Sequence, residues 1–110
     1  MAAPPESTKS SLKQRLSARA RERWPELAAV EVRFRANFAY VNGRLLDGTD
    51  LPLMRLRYGG SASIWGFAIH LASKDGYEDS ALPTGNLAGS PEDALDCACG
   101  LYLADPTAWI

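Results

Sequence analysis

The sequence predicts an α+β domain: an N-terminal helix, an antiparallel meander of four to five strands and a buried C-terminal helix. Three observations predict it. Apolar residues recur every four positions over Leu12, Leu16 and Ala20, every two positions from Val30 onward, and around most of a helical circumference from Ala94 to Tyr102. At 110 residues and 46% hydrophobic, the chain is long enough to bury one core. Residues 11–110 are therefore read as a single small domain behind a disordered tail over residues 1–10. No apolar run approaches the roughly 18 residues of a membrane span, and Met1 to Ser11 hold no apolar signal-peptide core. A cytoplasmic protein with no membrane contact is expected.

Ser11 and Gln14 form a capping-box pattern at the start of the first helix, and Trp24 before Pro25 stops or kinks it. Glu26 to Ala29 is read as a turn. From Val30 the period changes to two: Val30, Val32, Phe34, Ala36, Phe38 and Tyr40 share one face, and Glu31, Arg33, Arg35 and Asn37 the other. Asn42-Gly43 and Asp47-Gly48 supply two reversals around a short Arg44 to Leu46 segment. Leu51 to Tyr58 follows with Arg55 and Arg57 on one face, and Pro52 places its start on an edge or unpaired. Ile64 to Leu71 is apolar on both faces, the pattern of a central strand. Lys74-Asp75-Gly76 is a turn, Tyr77 to Leu82 a short strand and Pro83 to Gly89 a loop. Ser90-Pro91-Glu92-Asp93 opens the second helix with an N-cap, a first-turn proline and acids near the positive helix end. Its solvent arc is Glu92, Asp93, Asp96 and Gly100, and Asp105-Pro106 ends it.

Charge is divided unevenly along the chain. Residues 1–57 hold 11 of the 12 Lys/Arg and 6 of the 13 Asp/Glu, a net of +5 against −6 in the remainder. Arg33 and Arg35 share a face of one strand and Arg55 and Arg57 a face of another, so adjacent strands would merge them into one basic patch. Arg15, Arg19 and Arg23, spaced by four along the first helix, could extend it. Like charges opposed across a sheet are destabilising unless an anion or carboxylate meets them. Glu31, Glu78 and Asp79 are the expected intrachain partners, and nucleic-acid phosphate is the alternative.

Other residues point to no chemistry. Cys97 and Cys99 diverge on a helix and read as small apolar residues. His70, alone on a central strand, reads as a hydrogen-bonded core residue, and Ser80 lacks the glycines of a nucleophile elbow. Adjacent Glu78 and Asp79 point to opposite faces of a strand, and no His/Cys/acid spacing suits a metal. No catalytic residue, metal or cofactor is assigned. Trp24 and Trp65 are placed in the core, with Trp109 and Ile110 folding back onto it.

The run Arg55-Leu-Arg-Tyr-Gly-Gly-Ser-Ala-Ser-Ile-Trp-Gly-Phe-Ala-Ile, with Tyr77-Glu-Asp-Ser, Pro91-Glu-Asp-Ala-Leu-Asp-Cys-Ala-Cys-Gly-Leu-Tyr-Leu and Asp105-Pro-Thr-Ala-Trp, resembles a family of small uncharacterised actinobacterial proteins. That likeness covers about residues 24–110 and implies a bacterial cytosolic origin without implying a site. Residues 64–103, through Asp75-Gly76-Tyr77 and Ser90-Pro-Glu-Asp-Ala-Leu, are similar to the strand-turn-strand-helix core of HicB-type antitoxins, which implies a protein partner. The resulting expectation is a non-enzymatic interaction module. A protein partner or self-association ranks ahead of nucleic acid, because the pI is near 5.8 and the Arg face holds no aromatic residue in this reading.

Overall fold

The computed structural model describes residues 3–71, 76–82 and 85–102. Its elements are α1 (Glu6–Arg23), β1 (Leu27–Arg35), β2 (Phe38–Leu45), β3 (Asp50–Tyr58), β4 (Trp65–Leu71), β5 (Gly76–Asp79), β6 (Ala88–Gly89) and α2 (Pro91–Tyr102). The strands form one antiparallel sheet in the order β1-β2-β3-β4-β5, with β6 pairing the start of β4. Both helices pack on the same face, α1 against β1 and α2 against β3 and β4. The fold is α+β, with a helix at each end of a meander.

Helix α1 begins at Glu6, so residues 6–10, expected in the tail, belong to the helix. Pro5 supplies extended backbone at the entry (φ −61°, ψ 158°), and Thr8, one turn before Leu12, lengthens the buried stripe of Leu12, Leu16 and Ala20. Ser11 thus sits inside the helix and caps nothing. Burying each leucine contributes about 1.5–3 kcal/mol, enough to offset the weak helix propensity of the serines and threonine in the first turns. The helix stops at Arg23 and Trp24 takes φ −125°, as the following proline requires. Strand β1 starts at Leu27, inside the segment read as a turn.

The largest correction concerns the first long strand. It does not run to Tyr40: Ala36 and Asn37 form a two-residue connection, closed by Arg35 opposite Phe38, and Asn42-Gly43 lie within β2. Gly43 is needed for close approach rather than for a turn, because a Cβ there would lie 2.7 Å from Leu27 Cδ2 and 3.3 Å from Leu53 Cδ1. A two-residue hairpin reverses the alternation. Ala39 and Val41 therefore join Val32 and Phe34 on the helix side, while Phe38 and Tyr40 move to the face of Arg33 and Arg35.

The remaining meander follows the pattern with smaller shifts. Asp47 Oδ1 accepts the Thr49 N–H at 2.9 Å and Gly48 takes φ 89°, which makes the second reversal. Pro52 sits at a register shift between β2 and β3, and pairing of β3 with β4 begins only at Met54, so the start of β3 is unpaired on its β4 side, as the proline indicates. Strand β4 is central, and β5 is shorter than expected at Gly76–Asp79, releasing Leu82 into the core at 3% exposure. The loop read over Pro83 to Gly89 contains β6. Ser90 Oγ accepts the Asp93 N–H at 3.1 Å and caps α2. Trp24 and Trp65 are both buried at 1%. The turn at Lys74-Asp75, the Asp105-Pro106 stop and the Trp109-Ile110 terminus lie outside the described residues.

Candidate functional site

The face of the sheet away from the helices is built in cross-strand rows. One row runs Arg35, Phe38, Arg57, Gly66 and the next Arg33, Tyr40, Arg55, Ala68, Asp79. Each aromatic ring stands between two arginines on neighbouring strands. Strands about 4.8 Å apart bring these side chains into mutual reach, and the Arg55 guanidinium lies 4.6 Å from the Phe38 ring centre and 5.8 Å from that of Tyr77. Tyr40 and Tyr77 meet edge to face at 5.4 Å. Sequence reasoning missed Phe38 and Tyr40 here because it carried the alternation through the hairpin, for which the turn preference of Asn37 was the available signal; Tyr77 was read in a short strand with no face assigned.

Arg33, Arg35, Arg55 and Arg57 do come together, and of these four only Arg55 meets a carboxylate among the described residues, with Nη2 3.7 Å from Asp79 Oδ1. Glu31 pairs with Arg44 at 2.6 Å instead of with Arg33. Glu78 falls opposite Ile69, in register with the helix-side row, and not beside the arginines. Arg33, Arg35 and Arg57 form no ion pair among the described residues, and all three are exposed. A concavity of about 110 Å³ opens between Phe38, Arg55, Arg57, Asp79 and Leu87. Small residues make its floor: Gly66 and Ala68 lie beneath, and the Arg57 side chain crosses Gly66, whose added Cβ would sit 3.4 Å from Arg57 Cβ and 3.5 Å from its Nε.

Arg15, Arg19 and Arg23 do not extend this patch. They lie on the other side of the sheet and hold α1 to α2. Arg15 donates through Nε and Nη2 to the two oxygens of Glu92, each at 2.8 Å, and through Nη1 to Ala62 O at 2.9 Å. Arg19 Nε is 3.3 Å and Arg23 Nη1 3.2 Å from Asp96 Oδ2, while Trp24 Nε1 donates to Asp96 Oδ1 at 2.9 Å. Asp96, expected on the solvent arc, is 8% exposed and Gly100 is buried. The acid spacing explains it: Glu92 and Asp96 are four apart, as the arginines are, so one helical stripe meets the other. The Arg15 hydrogen bond holds the Glu92 carboxyl below its ordinary value, and Glu92 in turn raises Arg15.

The other chemistry-bearing residues are buried, the two cysteines in the core and His70 on the open face of β4 opposite Tyr77. Burial pushes the Cys97 thiol up and the Cys99 thiol up to about 12, the opposite of an activated nucleophile. His70 is 7% exposed with the Tyr77 ring edge-on at 5.2 Å, and it does not line the concavity beside the arginines. Among the described residues no group of three or more His, Cys, Asp or Glu side chains could hold a metal, and no helix is long and apolar enough to cross a membrane. No family model, no curated protein and no solved structure matches the chain.

Proposed function

We propose that this chain is a non-enzymatic interaction module whose helix-free sheet face binds a single-stranded nucleic acid. The observation that carries the reading is the pair of cross-strand rows in which Phe38 and Tyr40 each stand between two arginines. Arginine suits phosphate because its planar fork donates bidentately, and an aromatic ring accepts any base by stacking. A sheet face presents both at strand spacing. Among the described residues three of these four arginines meet no carboxylate, so phosphate would relieve a like-charge cluster. An overall net charge of −1 does not oppose this, since two of the acids that offset the arginines, Glu92 and Asp96, are engaged between the helices, away from this face.

Fluorescence anisotropy with single-stranded DNA and RNA 12-mers and with a duplex, at low salt, tests the reading. Single strands should bind in preference to duplex, with log K falling against log salt by about 0.7 for each phosphate neutralised. Arg57→Gln and Arg35→Gln should each shorten that slope by about 0.7. Phe38→Ala should weaken binding by about 1–3 kcal/mol and leave the slope unchanged. Folded protein that binds no single strand at low salt ends the proposal.

A further inference from the structure

Strand β1 is the outer strand of the sheet and pairs only with β2. The two-residue connection makes Arg35 and Phe38 the closing hydrogen-bonded pair, so Glu31, Arg33 and Arg35 turn their main-chain groups toward β2. Val30, Val32 and Phe34 turn theirs outward, and no group among the described residues bonds to them. Edge strands are usually blunted by a proline, a mid-strand bulge, a short length, a covering element or charged side chains, and β1 carries charges of both signs, Glu31 against Arg33 and Arg35, which can pair across a dyad. Strand β1 is nine residues long without proline, and its one register shift lies at Leu27/Ala29, before the regular run from Val30.

We propose that this edge binds a second copy of the chain, β1 against β1 in antiparallel register about a dyad at Val32. In that register Val30 lies opposite Phe34 of the second copy on the helix side, and Glu31 lies opposite Arg33 of the second copy on the open side. About six main-chain hydrogen bonds form from the outward groups. Charge selects the register. A dyad at Glu31 sets glutamate against glutamate and a dyad at Phe34 sets Arg33 against Arg35, while a dyad at Arg33 offsets its two Glu31–Arg35 pairs with arginine against arginine at the axis. Like charges directly opposed are destabilising, and only the dyad at Val32 has opposite-charge pairs without a like-charge one. A dyad at Val30 forms no charge pair and sets Arg33 against Leu27. Glu31 can serve both partners, because Arg44 holds only its Oε1. The two sheets become one, with both pairs of helices on the same side. This pairing stands whether or not the open face binds nucleic acid.

Analytical ultracentrifugation of the full chain without nucleic acid, from about 5 to 300 µM, reads the outcome directly. A dimer weakened by added salt is expected. Arg33→Glu and Glu31→Arg should each raise its Kd about tenfold or more, since each creates two like-charge pairs across the dyad. The double swap, Glu31→Arg with Arg33→Glu, should restore Kd to within about threefold of wild type. Val32→Pro removes an outward N–H and spares the β1–β2 ladder, so it should give a monomer with unchanged circular dichroism. A wild type that stays monomeric at 300 µM overturns the proposal, as does a dimer indifferent to the single swaps or a double swap that fails to restore it. The swap cycle decides the matter even where Val32→Pro does not fold.

Discussion

The two sides of the sheet use arginine differently. On the helix side Arg15, Arg19 and Arg23 each reach a carboxylate of α2, and the acceptors are spaced along α2 as the donors are along α1. On the open side Arg44 pairs with Glu31 and Asp50 at the end of β2, but of the four arginines in the two rows only Arg55 meets a carboxylate among the described residues, and the residues interleaved with them are rings. The helix-side set is therefore part of the fold, whereas on the open side Arg33, Arg35 and Arg57 form no ion pair within the described residues. The division of charge along the sequence resolves into one closed network and one open cluster.

The strongest way to break this comparison is Asp96→Ala. Asp96 is 8% exposed and accepts from Trp24 Nε1 and Arg23 while facing Arg19, so its removal leaves a buried indole N–H and the Arg23 guanidinium without their acceptor and takes from Arg19 its nearer carboxylate. Breaking a buried hydrogen-bonded pair costs about 3 kcal/mol. Urea unfolding should show that loss, against changes within about 0.5 kcal/mol for Arg35→Gln or Arg57→Gln. Similar losses on both sides of the sheet would erase the distinction.

Arg15→Met is the next largest effect and carries a pH signature. The Arg15–Glu92 pair is bidentate, with both side chains a little over one quarter exposed, so solvent screening limits its worth to about 1 kcal/mol. Because the native Glu92 pKa lies below its ordinary value of 4.5, the stability it contributes is complete above that value. It is lost as pH falls through the depressed native pKa. Wild type and Arg15→Met should thus differ at pH 7 and converge once pH falls below the depressed native pKa of Glu92; a gap that persists in acid would mean that lost packing, not charge, is responsible.

On the open side the expected effects are smaller and opposite in sign. Replacing Arg33, Arg35 and Arg57 together by glutamine removes mutual repulsion and should raise stability at low salt by about 0.5 kcal/mol. Added salt screens the same repulsion, so thermal stability should rise more with salt in wild type than in the triple variant. Equal salt responses would show that the three arginines do not sense one another.

How much of this was legible in the sequence varies by element. The Ser90 cap, the Asp47-Gly48 reversal, the central character of β4 and the burial of both described tryptophans follow from residue types whose local physics has one solution. The helix-side network was half legible: the i, i+4 arginines were visible, but their matching to Glu92 and Asp96 depends on two helices meeting over the sheet, a tertiary fact. The open face failed for a definable reason. Period-two alternation continues unchanged through residues 30–40, and a two-residue hairpin in that run inverts the face of every later residue without altering the pattern. Asn42-Gly43, the stronger turn signal, was meanwhile consumed by the close approach of Leu27.

That hidden hairpin also yields the smallest expected effect. Ala36 occupies φ 54°, the left-handed region in which a Cβ crowds the following carbonyl at a cost of roughly 1–2 kcal/mol. Ala36→Gly relieves this crowding, but glycine loses about 0.5–1 kcal/mol more backbone entropy on folding. The two terms leave a net gain of about 0.5 kcal/mol, which chemical denaturation of matched samples can resolve. The sign is the informative part. In a continuous strand through residue 36, glycine would destabilise by removing a packed β-carbon, so a loss would place Phe38 and Tyr40 back on the helix side and dissolve the arginine-aromatic rows. A gain ties the aromatic character of the open face to a single left-handed residue at the tip of β1 and β2.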